Sequence, residues 1–100
     1  MKQIHQEQFR VEVTLHQGKI LFALMAGWCA ACRQMRPELE ALERRFPQVK
    51  FVETDADQSP VLMKRLDVKL LPLILIYDGG QQVHANEGLV ATKLLEGKLK

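Results

Sequence analysis

Two stretches of the chain are almost unbroken in apolar residues, Lys19 to Ala26 and Leu70 to Tyr77. Short runs of this kind, bounded by turn residues, read as strands covered on both faces, where neither side of the sheet meets water. Val49 to Thr54, just after Pro47, is a weaker third strand with β-branched and aromatic content. Tyr77-Asp78-Gly79-Gly80 marks a tight hairpin, and Gln81 to Glu87 then alternates with Val83, Ala85 and Glu87 on one face. The last two strands are therefore expected to be antiparallel neighbours.

A helix follows the first strand. Met35, Leu39, Leu42 and Phe46 recur at spacings of four, three and four, while Glu38, Glu40, Glu43, Arg44 and Arg45 take the outer face. Pro37 falls inside this pattern, where it removes a backbone donor and predicts a kink about one turn after Cys32. A short helix is predicted over Val61 to Leu66, with Asp57 or Ser59 as N-cap and Pro60 in its first turn. A last helix runs from about Leu89 to Leu99, weakened by Gly97. Phe9 to Leu15 fits two patterns: Phe9, Val11, Val13 and Leu15 alternate as in a strand, while Phe9 and Val13 share a helical face. Periodicity leaves both open. The order strand, helix, strand, helix, hairpin, helix predicts an α/β sandwich with a mixed central sheet.

A chain of 100 residues has room for one core, so residues 1–100 are read as one domain. With 47% hydrophobic and 26% charged residues it is neither low-complexity nor disordered in type. Fourteen Lys+Arg against twelve Asp+Glu leave a formal charge of +2, too little to predict a phosphate-binding surface, and no nucleic-acid partner is expected. The longest apolar run, Ile20 to Gly27, falls far short of the ~20 residues of a membrane span, and no membrane association is expected. Met1-Lys2 leads into the polar stretch Gln3 to Gln8 rather than a secretory apolar segment, so a cytoplasmic setting is expected.

The two cysteines sit three apart in Trp28-Cys29-Ala30-Ala31-Cys32. Closing so short a loop constrains an unfolded chain little, which makes structural stapling a poor explanation. On the first turn of a helix, residues three apart share a face at a separation a disulfide can bridge. Cys29 would face the unpaired amides and the positive end of the helix dipole, which favour thiolate over thiol. Cys29 is thus the expected nucleophile and Cys32 the resolving thiol, one exposed and one sheltered, with the Trp28 ring as an apolar wall. Half of a zinc site is the rival reading. Structural zinc takes four ligands, and His5, His16 and His84 form no pair at ligand spacing, so no metal is expected. Met35 is read as core filler.

At these residues the chain resembles the thioredoxin family, over nearly its whole length. The likeness rests on Trp28, Cys29, Cys32, Pro37, Leu71-Pro72, Gly80, Gly88 and the loop Asp55 to Pro60. It implies a thioredoxin fold, a three-layer α/β/α sandwich with a mixed central β-sheet. It also implies that Phe9 to His16 is the first helix, that Met1 to His5 is a short edge strand, and that the Leu71–Pro72 bond is cis. By the same resemblance Pro72 packs against the disulfide and Leu71 supplies main-chain contacts to an extended client strand, while Gly27, Trp28, Leu70 and Gly88 border an apolar docking surface.

Three features depart from the family pattern. Ala30-Ala31 replaces Gly-Pro between the cysteines, Ala23 replaces a buried aspartate, and Leu73 replaces the threonine after the proline. Glu53, on the third strand, is expected to substitute in part as acceptor of the Cys32 proton. The resemblance implies a monomeric thiol–disulfide oxidoreductase acting on protein disulfide substrates, recharged by a reductase or other redox partner and needing no cofactor. The altered dipeptide and missing carboxylate leave reductase against oxidase or isomerase open, since about 30 mV corresponds to only ~1.4 kcal/mol. An adaptor that binds partners with little redox turnover is the alternative.

Overall fold

The computed structural model describes residues 1–100 and contains five strands: β1 (Lys2–Gln3), β2 (Lys19–Met25), β3 (Lys50–Asp55), β4 (Leu73–Asp78) and β5 (Gln81–Glu87). They form one sheet in the order β1-β3-β2-β4-β5. β1 and β2 flank β3 in parallel, whereas β4 runs antiparallel to both β2 and β5. Ile20 to Met25 are all buried, as a central strand between two covered faces requires. The helices are α1 (Ala30–Arg45), α2 (Pro60–Arg65) and α3 (Thr92–Leu99). None is long and apolar enough to cross a membrane.

Side-chain parity shows how the layers are stacked. Ala23 lies beside Glu53 in the β2–β3 ladder, and Glu53 is bonded to Arg36 of α1, so α1 covers the Ala23 face. Arg45 of α1 is ion-paired with Glu96 of α3, which packs Leu95 and Leu99 on the same side. The ring of Phe9 meets Phe22 edge-on, with centroids 4.9 Å apart, and Tyr77 at 6.2 Å, so the N-terminal segment covers the opposite face. This is the expected three-layer sandwich with a mixed sheet.

The ambiguity at Phe9 to Leu15 resolves as helical. A 3₁₀ turn at Gln6–Gln8 leads into a π-helical segment at Arg10–Thr14. Phe9 packs on the core and Val13 is fully buried, while Val11 and Leu15 are exposed. A strand would have turned all four to one side. The edge strand occupies only Lys2–Gln3 of the Met1 to His5 segment.

Several boundaries differ from expectation. β4 starts at Leu73, not Leu70, because Pro72 has no N–H for the ladder and the Lys69 and Leu70 amides turn instead to the Glu87 carboxylate. α3 starts at Thr92, since Leu89 to Ala91 carry the chain from the sheet edge to the α1 side. Ser59 holds the N-cap position of α2, yet neither it nor Asp57 caps with its side chain. Gln6 Oε1 accepts the Val61 and Leu62 amides instead, at 3.1 Å each. In β5 an irregularity beside Ile76 and Tyr77 leaves Val83 out of register, so Gln82, not Val83, joins Ala85 and Glu87 opposite Tyr77, Leu75 and Leu73. α1 runs on through Pro37, which lies on its exposed side.

The two-residue hairpin loop has positive φ at both positions, +59° at Gly79 and +87° at Gly80. A Cβ on Gly80 would also stand 2.9 Å from the Thr14 carbonyl, whereas Gly79 faces open space. Gly79→Ala is expected to cost about 1–2 kcal/mol, and Gly80→Ala more, read as the difference between their urea unfolding midpoints.

Candidate active site

β2 ends at Met25, and α1 begins five residues later, at Ala30. Cys29 is the N-cap of that helix, with extended φ, ψ of −88° and 113°. Its sulfur accepts the Cys32 amide at 3.2 Å, and its carbonyl accepts the Arg33 amide at 3.1 Å. A thiol thus stands where a serine or aspartate oxygen commonly satisfies a first-turn donor. Arg33 closes the turn from outside by donating to the Gly27 carbonyl at 2.8 Å.

Both cysteines are free thiols. Cys29 is more covered than expected, at 8% exposure, but remains the more accessible of the two, with Cys32 at 2%. The Cys29 S–H lies 3.7 Å from the Leu71 carbonyl. Pro72 is buried, and its peptide bond with Leu71 is cis. The Pro72 carbonyl accepts the Gly88 amide at 2.9 Å, with Gly88 in the left-handed region. Trp28 and Leu70 are 67% and 63% exposed. The Trp28 indole N–H is not buried, yet it donates to both Asp57 oxygens, at 2.9 and 3.0 Å. That bond fixes the ring and explains why Asp57 caps no helix.

On the other side of the sulfurs, Cys32, Ala26, Arg33, Arg36, Glu53 and Asp55 line a polar cavity of about 390 Å³. Glu53 makes a bidentate ion pair with Arg36, at 2.7 and 2.8 Å. Burial pushes the Cys32 thiol up to about 11 from an ordinary 9.0, and the bond with Cys29 adds to the rise. The Ala26 backbone and the Arg36 charge act against it. Arg36 and Asp57 were not anticipated as site residues. Arg36 was detectable, since it stands four residues after Cys32 and so shares its face of α1. No cluster of three metal-binding side chains forms.

The thioredoxin family profile matches residues 1–100. The chain belongs to the thioredoxin family. It is 30% identical over 83 residues to the thioredoxin of Streptomyces clavuligerus, covering 83% of this chain and 78% of that one. The crystal structure of Fasciola hepatica thioredoxin superposes with a TM-score of 0.85 at 27% identity, over 97% of this chain and 95% of that one. Oxidized mitochondrial thioredoxin 3 of Saccharomyces cerevisiae gives 0.84 at 28% identity, over 97% and 92%. As a member of this family the protein is a thiol–disulfide oxidoreductase, with Cys29 and Cys32 as its dithiol.

The raised Cys32 value has a consequence for stability. A thiol whose folded value lies above its unfolded one stabilises the fold fully below about pH 9, and that contribution is lost as pH rises through about 11. Tyr77, whose phenol burial also raises, acts in the same direction. The urea midpoint of the reduced protein should therefore fall over that interval, and Cys32→Ala should make the fall shallower, leaving the Tyr77 part.

Proposed function

We propose that the protein is a monomeric reductase of protein disulfides, working where reducing partners keep its thiols reduced, as in the cytoplasm. The observation that carries this reading is the placement of Cys29 Sγ on the first-turn amide of α1, beside the Leu71 carbonyl and above a buried Cys32. Cys29, as thiolate, attacks one sulfur of a client disulfide. The S–S bond breaks, the other client sulfur leaves as a thiolate that takes a proton from water, and Cys29 is left in a mixed disulfide. Cys32 then loses its proton and attacks Cys29 Sγ. The second client sulfur leaves, and the two electrons gained by the client are balanced by the new Cys29–Cys32 disulfide. A separate reductase returns two electrons to this disulfide.

The second step needs an acceptor for a proton that burial holds on Cys32. We assign this role to Glu53. In the sheet it is the direct neighbour of Ala23 and stands on the same face, so its carboxylate takes over from the position where the family carries an aspartate. Both oxygens are engaged by Arg36, but each keeps a further lone pair toward the cavity that Cys32 also lines. The proton crosses by way of water in that cavity. Gly27, Trp28, Leu70, Leu71, Pro72 and Gly88 receive the client as an added strand over an apolar rim.

With dithiothreitol as electron source the protein should accelerate insulin reduction, and Cys29→Ser should abolish the acceleration. Activity untouched by that substitution would favour an adaptor. Equilibration with glutathione should place the dithiol couple below glutathione in potential, and a value above it would make the protein an oxidase or isomerase instead. Glu53→Gln should slow resolution of the mixed disulfide about tenfold and move its pH profile upward. An unchanged rate and profile would remove Glu53 from the mechanism.

A further inference from the structure

Lys69 and Leu70 lie between α2 and β4, outside any helix or strand, and their amides need an acceptor. A single oxygen provides it: Glu87 Oε1 accepts the Lys69 amide at 2.5 Å and the Leu70 amide at 2.6 Å. The next residue, Gly88, donates its amide to the Pro72 carbonyl at 2.9 Å. Two consecutive residues at the end of β5 thus grip the chain on both sides of Leu71. Leu71 itself has its carbonyl opposite the Cys29 thiol, and no group of the protein takes its amide.

We propose that Glu87 is a positioning residue for client binding: its carboxylate sets the Lys69–Leu70 backbone so that the free Leu71 amide and its carbonyl are presented to an extended peptide. The inference rests on the reading of Leu71 as the client-pairing residue. A peptide that adds as a strand needs its partner amide and carbonyl in fixed register, and a loop without ladder bonds does not hold that register unaided. A carboxylate shared by two successive amides does, because hydrogen bonds to an ionised acceptor are stronger than neutral ones. Glu87 is also exposed, so it contributes nothing to the core that would explain its place. The charges near it are Lys69, whose ammonium is 2.9 Å from Asp67, and neither supplies an acceptor to the two amides.

The experiment compares a protein client with a small disulfide that needs no strand pairing. For Glu87→Ala, KM for insulin should rise about three- to tenfold with kcat unchanged, while the rate with dithionitrobenzoate stays at the level of the parent protein. Glu87→Gln, which keeps Oε1 as acceptor without its charge, should recover part of the loss. Backbone hydrogen exchange should quicken at Lys69 and Leu70 in the alanine variant and not in the β4–β5 ladder. An unchanged KM, or equal losses on insulin and on the small disulfide, would overturn the proposal. Failure of the unsubstituted protein to reduce either compound would instead overturn the reductase reading on which it rests.

Discussion

The contact between Cys29 sulfur and the Cys32 amide is the point from which the site is organised. It makes a reactive atom part of the helix start, so the geometry that ends β2 and begins α1 also fixes where chemistry takes place. The second cysteine follows without further construction, since the same turn of helix brings it to the same face and buries it.

The two sulfurs separate two environments. Leu71, Pro72, Gly88 and the exposed rings and side chains of Trp28 and Leu70 lie toward the outside, where backbone groups and apolar surface are on offer. Behind them lies a charged cavity holding Arg36 and Glu53. Parallel pairing of β2 with β3 accounts for this second environment. It places residue 53 level with residue 23, so the Glu53 carboxylate stands on the same face of the sheet as Ala23. Arg36, one turn beyond Cys32, meets that charge from the helix above.

Much of this was legible in the residues. The buried strands, the hairpin and the main helix follow from apolar runs, paired glycines and the Met35, Leu39, Leu42 spacing, because burial on one or two faces leaves a direct mark on composition. The cysteine pair was legible for the same reason: its chemistry depends on spacing within a single turn. What escaped depended on partners far away in sequence. Gln6 satisfying the start of α2, Asp57 holding Trp28 and Glu87 taking the Lys69 and Leu70 amides all join segments whose proximity only the folded sheet creates. The N-terminal segment was undecided by period alone because Phe9, Val11, Val13 and Leu15 are all apolar, while only two of them find room in the core. The out-of-register Val83 was hidden by a sequence that alternates through it without a break.

The bond from Gln6 to the α2 amides has reach beyond the helix it serves. α2 begins directly after the short turn that carries Asp57, and Asp57 in turn steadies the indole beside Cys29. The sixth residue of the chain is thereby mechanically in series with the aromatic flank of the sulfurs, although it touches neither. Trimming or tethering the amino-terminal end would therefore be felt as a looser tryptophan, and its fluorescence would register the change while the sulfur chemistry behind it was still intact.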